Sequence, residues 1–375
     1  MKIGIVCYPT YGGSGVIATE LGKALAKQGH IVHFITYSQP VRLDAFAENI
    51  FYHEVSVIDY PLFEYPPYEL MLTGKMVDVA KYHQLDLLHV HYAIPHASAA
   101  WHARMILEKE NIRLPFVTTL HGTDITLLGQ DRDLEPVINF AIDNSDAVTC
   151  VSQWLKKETL KYFKVNKEIK VIPNFINLKN YGPDGETQTL RKQYVRNEKI
   201  LVHVSNFRPV KRVADAVRVF ELIRKKIPAK LILVGDGPDM PKVTALCRAL
   251  KVCDDIIITG MVRQVEKLLA IGDLFLLPSE EESFGLAALE AMASGVPVIA
   301  TGSGGIPEVI EHEVCGLLNR TGDIAGMAKN ALHILQNEKM LARYRKNARK
   351  RAEHFAAEKI LPYYFRIYKE LMDRG

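Results

Sequence analysis

Short apolar runs alternate with amphipathic helical stretches along this chain, break off after residue 173, and begin again at residue 199. A parallel sheet requires such alternation, because each strand must be carried back to the same end of the sheet by a crossover, usually a helix. The first set of strands is expected at residues 2–8 (KIGIVCY), 31–36, 85–90, 116–120 and 147–151. A helix is expected over 15–28, where Ile17, Leu21, Ala24 and Leu25 share one face. The second set is expected at 199–205, 231–234, 256–259, 274–277 and 296–301, with a helix over 210–225. Residues 174–198 hold Gly182-Pro183-Asp184-Gly185 and little periodicity, which predicts an inter-domain linker. The expected fold class is therefore α/β, with two Rossmann-like doubly wound domains, 1–173 and 199–355, facing a central cleft. Residues 325–372 read as helical, and the last helix, about 356–375, is expected to return to the first domain and complete it. Ligands of such sheets bind beyond the carboxyl ends of the strands, so the chemistry is sought in the loops there.

Composition narrows the class of partner. A chain of 375 residues with 48% hydrophobic and 24% charged residues can bury two cores. Its net charge of +4 is too mild to call for nucleic acid and suits a small anionic substrate. No apolar run approaches the roughly 18 residues of a membrane span. The N-terminus has one Lys and then a strand, with no signal-peptide pattern. The five cysteines are odd in number and form no Cys-x-x-Cys, which predicts reduced thiols, neither a disulfide framework nor a cysteine zinc site, and a cytoplasmic location. Self-association is left open by the sequence.

Four segments carry candidate chemistry. Pro9-Thr10-Tyr11-Gly12-Gly13-Ser14-Gly15 lies between the first strand and the first helix. Glycines let backbone amides approach a ligand, and the helix N-terminus adds about half a positive charge, so the loop can cradle an anion. Gly13, Gly15 and Ala18 also satisfy G-x-G-x-x-A, but a dinucleotide site needs an acid at the end of the second strand. That place holds Tyr37, Ser38 and Gln39, and the first acid comes later, at Asp44. A tight turn without a ligand is the plainer alternative. The second segment, Ser205-Asn206-Phe207-Arg208-Pro209-Val210-Lys211-Arg212, sets three cations after a strand, where Arg and Lys are the usual phosphate holders. A solvated helix start is its bland reading.

The third segment runs from Glu280 to Glu290. Its small-residue helix, with Gly285 at the mouth, can offer free amides to a diphosphate. Glu290 and Glu282 can accept hydrogen bonds from ribose and sugar hydroxyls. The competing reading is a capping box, Ser279-x-x-Glu282. The fourth segment is His121-Gly122-Thr123-Asp124, where His121 ends a strand; a lone His there is as readily structural. Metal signals are weak. His89-x-His91, with His96 and His121, lacks a carboxylate or Cys at fixed spacing, and Asp131-Arg132-Asp133 is a lone D-x-D. The basic run 343–351 (RYRKNARKR) is spread around a helix and reads as a solvated face.

These four segments, in this order and over the whole chain, resemble a retaining glycosyltransferase of family 4, with the GT-B fold. The strongest element is E-x7-E, from Glu282 to Glu290, enclosing Phe284-Gly285. The resemblance implies that Glu282 contacts the donor sugar and Glu290 the ribose, that Lys211 and a nearby Arg hold the diphosphate, and that His121 sits by the sugar. The family usually has Arg five residues before the Lys. Here that place is Asn206, and Arg208 stands three before, so either contacts the diphosphate.

PTYGGSGVIATELGKALAKQGH, LHVHYAIPHA, TLHGTDITLLG and SNFRPVKR narrow the likeness to the members that serve bacillithiol biosynthesis. It implies transfer of N-acetylglucosamine from UDP-N-acetylglucosamine to the hydroxyl of L-malate, with retention and without metal or cofactor. The catalytic residues so implied are His121, Arg208, Lys211 and Glu282. Gly15, Asn206, Phe284, Gly285, Leu286 and Glu290 would bind the donor. Gly13, Ser14, Tyr92 and Thr123 would bind the acceptor, with Arg42 and Arg132 as further cations for its carboxylates. The rival readings are a family-4 enzyme with a lipid or polysaccharide acceptor, a UDP-sugar epimerase on the same fold, and a non-catalytic sugar-nucleotide binder.

Overall fold

The computed structural model describes residues 1–43, 47–57, 64–127, 129 and 131–374, so Asp44 lies outside the described residues. The chain divides into two compact units, Met1–Pro173 with Ile360–Gly375, and Asn174–Lys359.

The first unit is built on seven strands: β1 (Lys2–Val6), β2 (Ile31–Thr36), β3 (Ile50–Glu54), β4 (Leu87–His91), β5 (Phe116–Leu120), β6 (Ala147–Cys150) and β7 (Ile169–Val171). They pair in the order β3-β2-β1-β4-β5-β6-β7, all parallel. β4 and β5 are buried at every residue, as expected of central strands covered on both faces. The strand order reverses between β1 and β4, which marks the switch point where such sheets bind ligands.

The second unit holds β8 (Lys199–Val204), β9 (Ala229–Val234), β10 (Ile256–Gly260), β11 (Leu274–Leu277), β12 (Val298–Thr301) and β13 (Gly316–Asn319). Their order is β10-β9-β8-β11-β12-β13, again parallel, with its switch point between β8 and β11. The core beneath it joins Phe207, Val217, Phe220, Leu231, Leu274 and Ile334, all fully buried.

The last helix, Ala357–Asp373, returns to the first unit. Its buried Tyr368 hydroxyl lies 2.6 Å from His89 Nδ1. No helix among the described residues is long and apolar enough to cross a membrane.

Three differences from the sequence reading have physical causes. β3, β7 and β13 were not expected: all lie at sheet edges, where one side meets water and the strand is short or mixed, as in IFYHE and IKV. The helix expected over 210–225 begins at Val213, after a tight turn at Pro209–Lys211. Residues 174–198 are no bare linker. Phe175, Ile176, Tyr181 and Val195 are buried at irregular spacing, and a helix forms at Thr187–Tyr194. Arg191 of that helix pairs with the buried Asp273 at 2.7 Å, which fastens the segment to the second unit. Burial by tertiary contacts leaves no period for the sequence to display.

The basic run is also corrected in part. Arg345 reaches Asp273 at 2.7 Å, Arg349 donates to the carbonyls of Leu178 and Tyr181, and Arg351 to those of Glu308 and Val309. These guanidinium forks brace the second unit, while Arg343, Lys346 and Lys350 of the same run are exposed as a solvated face.

Candidate active site

In the second unit, the loops after β8 and β11 meet at the switch point. Glu280 donates its N–H to the Val210 carbonyl at 2.7 Å, which locks one loop to the other. Lys211 Nζ then lies 2.7 Å from Glu282 Oε1, and Ser279 Oγ donates to the same oxygen at 2.8 Å. The helix beyond starts only at Leu286, with Gly285 as its N-cap and no side-chain cap. Ser279 and Glu282 are therefore not a capping box; the serine orients the carboxylate. Gly285 has φ +93°, and a Cβ there would meet Ile306 at 2.3 Å, so glycine alone opens this helix mouth. The first amides of the helix stay without intrahelical acceptors, as a bound anion requires.

Glu290 is buried one turn further in, where its Oε1 accepts from Tyr181 Oη at 2.8 Å. Phe284 is buried against Phe355, edge to face at 5.6 Å, and Leu286 is half-buried. Of the three cations after β8, Arg212 pairs with the buried Asp215 and Lys211 with Glu282. Arg208 is exposed and carries no ion pair among the described residues. Asn206 Oδ1 is buried without a hydrogen-bond partner, a polar atom that a ligand donor would satisfy.

In the first unit, the chain turns from β1 into the helix Gly13–Lys27. Gly12 is its N-cap, again with no side-chain cap and no acid in the first turn. A Cβ on Gly15 would stand 2.4 Å from the Thr10 carbonyl and 2.5 Å from that of Tyr8, so this glycine lets the loop close over the helix mouth. Ser14 Oγ accepts from Tyr92 Oη at 2.7 Å. Tyr92 follows β4 with φ +90° and ψ 142°, a conformation costing on the order of 1–3 kcal/mol outside glycine. Its N–H bond to the Thr119 carbonyl, 2.9 Å, helps hold it there. Burial pushes the Tyr92 phenol well above its ordinary pKa, although Ser14 and Thr123 oppose this, so it remains a donor. Thr123 itself is exposed.

His121, after β5, is buried with Nε2 2.8 Å from His91 Nδ1. Burial pushes its pKa down to about 3, so the ring is neutral. His89, His91 and His121 form a stacked ladder with centroids 4.6 and 5.0 Å apart, and His96 bonds the His91 carbonyl. The four imidazoles suggested by sequence do come together, but as a neutral stack in which His91 and His121 bond each other and the Nε2 atoms of His91 and His96 are buried without partners. Both ring nitrogens of His89 are engaged, by Tyr368 and Thr119. Asp124 is fully buried and accepts from Ala93 N–H at 2.9 Å and Gly122 N–H at 3.1 Å, tying the loops after β4 and β5. Burial, opposed by these amides, raises its pKa to about 6.

The remaining candidates fall elsewhere. Asp131 Oδ1 accepts from the Asp133 N–H at 3.0 Å, so the D-x-D serves a turn ahead of the helix Glu135–Asp143, and Arg132 is exposed there. Arg42 is half-buried, and its carbonyl accepts from Lys23. All five cysteines are free thiols, four of them buried. Sequence reading missed two glycine loops. A Cβ on Gly304 would lie 2.1 Å from the Glu282 carbonyl, and one on Gly237 2.2 Å from that of Asn206. Each brings backbone against a site loop; the Gly-Gly and Gly-x-Gly pairs after β12 and β9 were the available signal.

Residues 11–180 match the family described as Glycosyltransferase Family 4, and residues 186–351 the one described as Glycosyl transferases group 1. The N-acetyl-alpha-D-glucosaminyl L-malate synthase of Bacillus anthracis is 48% identical over 99% of this chain and 97% of its own length. The chain is a family-4 glycosyltransferase. Solved structures support the fold of this glycosyltransferase. Sucrose-phosphate synthase from Thermosynechococcus elongatus superposes with a TM-score of 0.82 at 21% identity, covering 100% of both chains. Anabaena HepE in complex with UDP and glucose gives 0.81 at 21% identity, covering 99% of both. These are GT-B folds with two parallel-sheet Rossmann-like domains, the architecture of the family-4 chain described above.

Proposed function

We propose that this glycosyltransferase moves N-acetylglucosamine from UDP-N-acetylglucosamine to the hydroxyl of L-malate, with retention, in the cytoplasm, as the first step of bacillithiol biosynthesis. The observation that carries the reading is the Lys211–Glu282–Ser279 contact beside the uncapped helix mouth at Gly285. It supports the reading because a cation and free amides suit a leaving diphosphate that gains charge, and a carboxylate suits sugar hydroxyls that need an acceptor. The 48% identity to a relative named for GlcNAc-malate synthesis supports the choice of donor and acceptor.

In this reading the bond from the anomeric carbon to the diphosphate breaks, and a bond to the malate hydroxyl oxygen forms on the same face. The hydroxyl proton passes to a phosphate oxygen of the departing UDP. Lys211 and Arg208 stabilise the negative charge on UDP, and preorganised donors of this kind contribute about 3–4 kcal/mol each. Asn206 Oδ1 accepts from a nucleotide N–H or O–H, and a contact of Asn206 with the diphosphate uses its amide Nδ2 as the donor. Glu290 holds the ribose in partnership with Tyr181. In the first unit, the amides at Gly13–Gly15 and the hydroxyls of Ser14, Tyr92 and Thr123 receive the malate carboxylates. Neutral His121 positions the donor sugar, and Gly15 approaches the same ligand through its backbone.

The test is a melt followed by an acceptor screen. Millimolar UDP should raise the Tm, since a ligand that binds only the native state stabilises it. UDP release should then depend on malate and fail with glycerol, because unpaired buried donors cost about 1–3 kcal/mol each. No shift with UDP would remove the donor assignment. Glycerol matching malate would move the acceptor to another class, and UDP release without any acceptor would favour an epimerase.

A further inference from the structure

Three histidines that the proposed chemistry does not use converge near one edge of the first unit's sheet. His33 lies on β2, His53 on the edge strand β3, and His83 is the last residue of the helix Tyr68–His83. His33 faces Phe51 across the strand pair and Ile35 faces His53, so the two imidazoles are diagonal neighbours on one face. One ring nitrogen from each histidine lies within 4.8 Å of the others. His33 Nδ1 and His53 Nε2 are 2.9 Å apart, and the His33 and His83 ring centroids 4.4 Å. His33 is buried, while His53 and His83 are half-buried and open to entry from solvent.

The chemistry of the cluster is that of a metal site. Neutral imidazoles are borderline ligands that suit zinc-type ions. All three side chains come from different elements, and the last carbonyls of the helix place partial negative charge beside His83. Burial and the neighbouring imidazoles hold His33 down at about 4, and burial lowers His53, so both are neutral and ligand-ready at pH 7. The charged groups acting on them are Lys2 from β1 and Lys75 and Asp78 from the helix. Tetrahedral zinc with Zn–N near 2.0–2.1 Å needs nitrogens about 3.4 Å apart, so the His33–His53 pair must open from 2.9 Å and the set close from within 4.8 Å.

We propose that His33, His53 and His83 form a three-imidazole site for a divalent transition-metal ion of the zinc type, with water in the fourth position, tying β3 and the helix end to β2. The His33–His53 hydrogen bond gives way on binding. The ring that donates in it shifts that proton to its own other nitrogen, so both facing nitrogens can ligate and no net proton is released. The site lies at the β3 edge, whereas the proposed chemistry belongs to the loops after β1, β4 and β5 in the first unit and after β8 and β11 in the second, so it is structural rather than catalytic.

The test uses untagged full-length protein, stripped with chelator and titrated with Co²⁺ and Zn²⁺. One ion per chain is expected, with a visible Co²⁺ band of tetrahedral type, three imidazoles in the X-ray absorption spectrum and a higher Tm. His53→Ala and His83→Gln should each weaken binding by roughly tenfold or more. Melting of the metal-free variants checks that they fold. If one of them does not, the imidazole count on the wild-type protein decides alone. Absence of saturable binding, wild-type affinity in both folded variants, or fewer than three imidazole ligands would overturn the proposal.

Discussion

The two switch points place the same backbone device, an uncapped helix mouth after a strand, in opposite electrostatic settings. In the second unit the mouth at Gly285 stands beside charges: Lys211 against Glu282, and Arg208 in solvent. In the first unit the mouth at Gly12–Gly15 is backed by neutral groups: Ser14 bonded to Tyr92, and His121 held uncharged by burial. A diphosphate leaving group gains charge during the reaction and calls for cations that strengthen with it. A small dicarboxylate is charged before and after, and amides with hydroxyls suffice to hold it. On the proposed function, the contrast assigns transition-state stabilisation to one unit and recognition to the other.

Four measurements break or sharpen that contrast. Lys211→Ala should lower kcat/KM by about 10²–10³, the effect of losing one preorganised donor, and should lower kcat itself. A change confined to KM would make Lys211 a binding group only.

Stability against pH tests the neutral side. His89 and His121 are pushed down to about 3 and His96 to about 4 by burial. The unfolded chain therefore takes up these protons first, near pH 6.5. Their stabilisation is complete above that pH and is lost as pH falls toward 3–4, at about 1.4 kcal/mol per unit for each group. Asp124, raised to about 6, runs the other way: its contribution is complete below its unfolded value and lost as pH rises through 6. One acid against three imidazoles leaves net destabilisation between pH 6.5 and 4, read as a falling urea midpoint. A flat midpoint would mean the imidazoles are solvated.

Ser14→Phe removes the acceptor for the Tyr92 hydroxyl and crowds the loop. The KM for malate should rise roughly ten- to a hundredfold while the Kd for UDP is kept. Equal damage to both constants would dissolve the division of labour. The smallest expected effect is that of excess EDTA, which should leave the rate unchanged, since cations and helix mouths carry the charge. Loss of activity restored by Mg²⁺ would bring Asp131 and Asp133 back into the chemistry.

Much of the fold could be read in advance, unevenly and for physical reasons. β2, β5 and β11 fell where the apolar runs put them, because a strand covered on both faces shows itself as a continuous run. The edge strands β3, β7 and β13 left no such trace, and the segment 174–198 hid its burial in contacts without period. At the site, the glycine loops and the Glu282-to-Glu290 spacing were legible, because they answer local needs: a close backbone approach and one helix turn or two.

Local sequence settles the two alternating sets, the helix mouths after β1 and β11, and the residue types set beside them. Tertiary structure alone decided which groups meet. Lys211 and Glu282 are 71 residues apart, and Ser14 and Tyr92 78, so their pairing depends on which strands lie next to each other. The same holds for His33, His53 and His83, which share no spacing a reader could find. Local pattern reports burial and turn geometry over a few residues; proximity across a sheet is set by strand order and register, which only the packed chain fixes.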